Sequence, residues 1–259
     1  MTRGIQFPMF APQTEWVMPD GLKDLTGYKE IAIDLETNDP GLITSGSGSV
    51  VGRGHIAGIA VAVEGWSGYY PIQHENGGNI DKKLVFGWLQ EILNQENTTF
   101  IFHNAMYDVC WLRAAGLIIK GKIVDTMIAA SLVNENRFKF DLNSLAKEYV
   151  GIGKDENVLR IAAKDFGVDP KAEMWRMPAM YVGEYAERDA EVTLKLWQRL
   201  SIELHNEELM DIFNLETKLF PCLVDMRFKG VRVDLEHAAK LKKNLIIRED
   251  KILKNIKDL

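Results

Sequence analysis

Lys29–Thr37 reads KEIAIDLET. Residues 29–35 alternate into a short β-branched run, the pattern of a strand whose side chains have period two. Asp34 and Glu36 stand two apart at its end, so the alternation points both carboxylates to one face. Like charges forced together on an otherwise apolar strand repel, and burial strips their hydration unless a cation or protons neutralise them. A divalent metal accounts for such a pair; a solvent-facing pair beside Thr37, Asn38 and Asp39 is the plainer alternative.

Ile56–Val63 (IAGIAVAV) and Trp66–Ile72 (WSGYYPI) repeat the strand pattern. Asp81 is placed to cap an amphipathic helix running to about Leu93. Phe100–Phe102 reads as a buried strand, and Ala105–Ala115 as a helix capped by His103 or Asn104 and ended by Gly116. Ile118–Val124 reads as another strand, Asp125 as the cap of the next helix, and Asp141 as the cap of LNSLAKEYV. A polar stretch continues to about Ala172, and a long helix with Pro178 in its first turn carries Tyr181, Tyr185, Val192, Leu196 and Leu200. Three strands followed by strand–helix alternation predict an α/β fold with a mixed sheet.

GLITSGSGSVVGRGH, Gly41–His55, has tempting glycine spacing. A dinucleotide-binding loop follows its strand at once and opens a helix, whereas this stretch leads into another strand, so it is expected to be a flexible loop able to touch a substrate. Pro8, Pro12 and Pro19 mark the chain before about Gly27 as an extended arm lying on the domain.

The 259 residues are 46% hydrophobic and 26% charged, which excludes disorder and fits one large domain, or one plus a fragment. The longest apolar run, Ile56–Val63, is far short of the roughly 20 residues of a membrane span, and the N-terminus lacks a secretory apolar stretch, so a cytoplasmic protein is expected. Cys110 and Cys222 form no metal pair by spacing, and none of the five histidines falls at ligand spacing, so any metal is to be held by carboxylates. Net charge is −6, yet Asp225–Leu259 carries ten Lys and Arg against six Asp and Glu. There Ala238, Leu241, Leu245, Ile252, Ile256 and Leu259 stripe a Lys-rich helix with no stop signal, as expected if a longer protein continues past it.

Two further carboxylates join the first pair. Asp108 lies one turn into the helix after TFIFH, on a face shared with Asn104, in the crevice where open α/β sheets bind ligands. Tyr185 and Asp189, four apart, share a face of the long helix. Asp125 competes as a fifth carboxylate and is read as an N-cap, because only Asp108 has the partner Asn104.

In this order IAIDLET, FHNAMYD and YAERD resemble the three motifs of the DnaQ-like, or DEDD, 3′–5′ exonucleases, in particular the proofreading domain of family A DNA polymerases. The third motif has the Tyr-x3-Asp form, and position 184, where the alternative form needs His, is Glu. VDTMIAASLV, FDLNSLAKEYV and LETKLFPCLVDMRFKGVRVD are softer matches, the last similar to the junction between exonuclease and thumb, and the whole resemblance runs from about Trp16 to Gly230.

The resemblance implies an RNase H-like (DnaQ-like) mixed β-sheet flanked by helices. Behind the extended arm, residues 1–28, it implies the exonuclease domain over 29–207 and the truncated start of a polymerase thumb over 208–259. By the same analogy Asp34, Glu36 and Asp189 hold one divalent ion, and Asp34 bridges to a second supported by Asp108. Oxygen ligands select Mg²⁺ or Mn²⁺. Tyr185 orients the attacking water, Leu35 and Thr37 hold the 3′-terminal nucleotide, and Asn104 contacts the strand. The implied partners are a single-stranded or frayed DNA 3′ end and the polymerase domain of the parent chain, in a bacterial or phage-infected host. A free-standing DEDD nuclease acting on RNA or DNA ends is an alternative, since no polymerase motif occurs in these residues. A catalytically inactive domain of the same fold is another, against which the presence of all four acidic positions argues.

Overall fold

The computed structural model describes residues 13–153 and 156–257. Five strands form one sheet in the order β3-β2-β1-β4-β5: β1 (Glu30–Asn38), β2 (His55–Val63), β3 (Trp66–Pro71), β4 (Thr99–Phe102) and β5 (Lys122–Asp125). β1–β2 and β2–β3 are antiparallel, β1–β4 and β4–β5 parallel. The helices are α1 (Leu42–Ser45), α2 (Gly48–Val51), α3 (Lys82–Leu93), α4 (Ala105–Ala114), α5 (Thr126–Val133), α6 (Leu142–Tyr149), α7 (Asn157–Phe166), α8 (Gly183–Asn206), α9 (Met210–Lys229) and α10 (Leu235–Lys257).

α8 lies across the sheet because both surfaces are made small there. Ala32, Ala60 and Ala62 on the strands and Ala186 and Ala190 on α8 are fully buried in one apolar cluster. Short side chains let the helix approach the sheet closely at interior packing density. Asp34 and Glu36 continue the face that Ala32 begins, so the cluster ends where the carboxylates start.

Asp81 and Asp141 accept from Leu84 N and Ser144 N and cap α3 and α6 as the sequence predicts. Other expectations are corrected. Neither His103 nor Asn104 caps α4 with its side chain; Asn104 is left-handed at φ 64°, and Asp125 accepts from Asn104 N at 3.0 Å and Ala105 N at 2.8 Å. Residues 118–121 are outside β5, because Ile118 N donates to the Gln90 side chain and Lys120 N to Leu93 O, tying them to α3 instead of β4. The polar stretch before Ala172 holds α7, with Leu159, Ala162, Ala163 and Phe166 buried at helical spacing. The long helix starts at Gly183, after a 3₁₀ turn over Ala179–Tyr181 that Pro178 precedes.

Gly41–His55 is folded, not loose: α1 and α2 occupy it, and Ser47, Gly48 and Ser49 are buried. Both Asp39 carboxylate oxygens accept from Gly48 N, at 3.0 and 3.2 Å. A Cβ at Gly48 would lie 1.9 Å from Arg53 O, and one at Gly54 1.9 Å from Asn38 O. Pro8 and Pro12 lie outside the described residues, while residues 13–18 run without regular structure and lay Trp16 against α8.

Contacts divide the chain into two compact units, Met1–Val224 and Asp225–Leu259. The division falls within α9, whose Phe213, Phe220 and Val224 are buried. In the second unit, Asp234 accepts from His237 N at the start of α10, and none of that helix's residues is buried. Among the described residues no helix is long and apolar enough to cross a membrane.

Candidate active site

β1 outruns its parallel neighbour. Its register with β4 ends at Ala32 opposite Ile101, while its pairing with β2 continues to Asn38 opposite His55. Beyond the end of β4 the chain turns into α4, and Asp108 Oδ1 accepts from Leu35 N at 3.1 Å. Asp108 thus occupies the crevice past the strand end, beside the strand that carries Asp34 and Glu36. Glu36 faces Gly58 on β2, and a bulge between Glu36 and Thr37 re-aims the chain as it leaves the sheet.

Asp108, Asp189 and Glu36 retain only 4%, 5% and 9% of their accessible surface, so each is largely stripped of water. Burial, and next the charge of Asp34, push the Asp108 carboxyl well above its usual range. Tyr185 reports on the other three. Burial raises its phenol first, then the charges of Asp189, Glu36 and Asp34, and its hydroxyl is hydrogen-bonded to Asp189. Asp34 on β1 is thus within electrostatic reach of Asp108 on α4 and, together with Glu36 and Asp189, of Tyr185 on α8.

The residues expected to hold a nucleotide are placed differently from one another. Leu35 is buried with its N–H given to Asp108, Thr37 is half-buried at the bulge, and Asn104 is exposed at the start of α4. Asp125 accepts from Met127 N at 2.8 Å as well as from the two N–H groups at α4, which is a capping role at the heads of two helices. The sequence reading missed Tyr107, although it lies inside FHNAMYD next to Asp108. Its hydroxyl shares a 2.6 Å hydrogen bond with Thr37 and reaches Asp39 at 3.4 Å, and burial pushes it up to about 12.

Among the described residues no three His, Cys, Asp or Glu are already arranged to hold a metal ion. The donor chemistry nonetheless fits one: four carboxyls supply only hard oxygen donors, and the unfavourable charge that Asp108 meets in Asp34 is the interaction a divalent cation reverses.

Residues 11–205 match the family described as 3′-5′ exonuclease. The chain belongs to that 3′–5′ exonuclease family. It is 34% identical over 264 residues to a DNA-directed DNA polymerase of Pseudomonas phage M6, covering 98% of this chain and 40% of the relative. The chain thus spans well under half the length of that polymerase. Among solved structures, Brucella melitensis NrnC with bound Mg²⁺ superposes with a TM-score of 0.57 at 20% identity, covering 82% of this chain and 92% of that one. The POL domain of Pol1 from M. smegmatis, in complex with DNA primer-template and dNTP, gives 0.57 at 16% identity, covering 84% and 31%. The fold is the RNase H-like, DnaQ-like α/β fold, and the exonuclease is of the type carried by phage and bacterial DNA polymerases, a hydrolase.

Proposed function

We propose that Asp34, Glu36, Asp108 and Asp189 hold two divalent ions, Mg²⁺ or Mn²⁺, and that the domain removes nucleotides from DNA 3′ ends as the proofreading part of a longer polymerase. In this reading residues 29–207 are the exonuclease domain and 208–259 begin the thumb. The observation that carries it is that the buried Tyr185 phenol, its proton held first by burial, also feels the charges of Asp189, Glu36 and Asp34, groups from a helix and a strand about 150 residues apart in sequence. When bound, such an ion pair lowers the pKa of water and offsets charge on the attacking and leaving oxygens.

The chain's own residues do the rest. Tyr185 stays a neutral phenol; its O–H donates to Asp189, which leaves its oxygen lone pairs to accept from a water and aim it. Leu35 and Thr37, the latter steered by Tyr107, hold the terminal nucleotide, and Asn104 at the mouth of the crevice contacts the strand. A 3′ nucleotide has to leave its stack to enter a site this buried, so frayed and single-stranded ends are the preferred form. The test compares single-stranded, mismatched and fully paired DNA 3′ ends, with an RNA strand as a fourth substrate. DNA cut fastest when single-stranded, next when mismatched, supports the reading; equal rates on paired and single-stranded ends remove proofreading, and a preference for RNA replaces the substrate.

A further inference from the structure

Glu187 is no part of the carboxylate set, although it lies between Tyr185 and Asp189 in the sequence. Two residues along a helix is about 200° of rotation, so it leaves α8 on a different face. Its Oε1 accepts from Tyr69 N at 2.9 Å and from Trp16 Nε1 at 2.8 Å. Among the described residues β3 is an outer strand of the sheet, whose outward N–H groups meet no further strand, and Glu187 takes the one at Tyr69. Trp16 covers this contact. Its indole fills the space where a Cβ at Gly183 would come within 2.0 Å, its edge meets Tyr69 with ring centroids 6.2 Å apart, and Thr14 beside it donates to Met180 O at 3.1 Å.

From Tyr69 the connection continues to β1. The Tyr69 hydroxyl occupies the space that a Cβ at Gly58 would need, 2.0 Å away, and Gly58 is the residue paired with Glu36. The same hydroxyl lies 2.6 Å from His74 Nε2, while His74 Nδ1 donates to Met177 O at 2.9 Å in the turn leading to α8. The carbonyl partner leaves Nε2 as the acceptor, so Tyr69 donates. α8 is thereby joined to the carboxylate strand through Glu187, Tyr69 and Gly58, without passing through any group of the proposed site.

We propose that Glu187, covered by Trp16, is a positioning residue for the cation site: pinned to the outer strand, it sets the rotation of α8 about its axis and hence the approach of Tyr185 and Asp189 to Asp34 and Glu36. This rests on the reading of those carboxylates as cation ligands. Supporting groups of this kind are worth about 10- to 100-fold in metal affinity or activity, and a displacement of about 1 Å at a reacting centre costs on the order of 100-fold.

The test uses the full chain with Glu187→Ala, Glu187→Gln and Trp16→Phe, assayed well below each variant's melting temperature. Glu187→Ala is expected to lower kcat on single-stranded DNA about tenfold with KM nearly unchanged, and to raise about tenfold the Mn²⁺ concentration that half-saturates the thermal shift of the DNA-free protein. Glu187→Gln keeps the acceptor oxygen and restores both, and Trp16→Phe, which loses one of two donors, falls between. Glu187→Ala that melts earlier but keeps kcat and the Mn²⁺ midpoint overturns the proposal, as does Glu187→Gln as impaired as Glu187→Ala. Asp34→Ala run alongside separates the two claims: if it keeps its activity and its Mn²⁺ response, the carboxylate reading itself fails, whereas its loss beside an inert Glu187→Ala fails only the positioning claim.

Discussion

Asp108 is buried against Asp34 with its proton held more tightly than in the unfolded chain, where its carboxyl titrates near 3.8. Between that pH and its folded value the native state binds more protons than the unfolded one, so stability falls as pH rises through the window. Asp108→Asn keeps the acceptor for Leu35 N and removes the charge. In chelator at pH 8 it is expected to melt several degrees above wild type, at about 1.4 kcal/mol per tenfold change in proton affinity and roughly 2–4 °C per kcal/mol. The gain should vanish below about pH 4, where both forms are neutral. A variant that melts early at pH 8 makes Asp108 structural. Asp34, Glu36 and Asp108 were legible in the sequence because strand alternation and the strand-to-helix turn fix where they point. Tyr69 and Glu187 were not, since their meeting joins positions 118 residues apart through an outer strand whose identity no local pattern reveals.

Gly41–His55 shows where composition misleads at the scale of an element. Its glycines suggest looseness, yet Gly54 at φ 88° has no room for a Cβ beside Asn38 O. Gly54→Ala therefore meets about 1–3 kcal/mol of overpacking together with backbone strain of similar order. Its melting temperature is expected to fall by roughly 4–24 °C, at ~2–4 °C per kcal/mol, with exonuclease activity reduced because the segment hangs from Asp39, the neighbour of Tyr107. An unchanged melting curve would restore the flexible loop. α7 was missed for the opposite reason: its buried Leu159, Ala162, Ala163 and Phe166 alternate with enough Lys, Arg and Asp that the stretch reads as polar.

Across the whole molecule the strand order was legible only in outline, as three strands and then strand–helix alternation; which strands flank β1 depends on long-range pairing. All residues of the proposed site fall between Asp34 and Asp189, inside the unit that ends at Val224. Removing residues from 234 onward, and so all of α10, is expected to shift the melting temperature by less than about 2 °C, under 1 kcal/mol by the same scaling, and to leave cleavage of single-stranded DNA unchanged; a large loss of both would make α10 part of the exonuclease core. Asp34, Glu36, Asp108 and Asp189 are proposed to make one divalent-cation site that hydrolyses DNA from its 3′ end. That proposal is tested most directly by 5′-labelled single-stranded DNA read at single-nucleotide resolution, with Mg²⁺ or chelator, for wild type, Tyr185→Phe and the four single carboxylate-to-Ala variants. The expected result is a ladder shortening one nucleotide at a time from the 3′ end, abolished by chelator and by each carboxylate loss, and slowed in Tyr185→Phe by less than any carboxylate loss costs, since that change removes one orienting hydrogen bond and no ligand. Cleavage that persists in chelator, or in any of the four carboxylate variants, would contradict it.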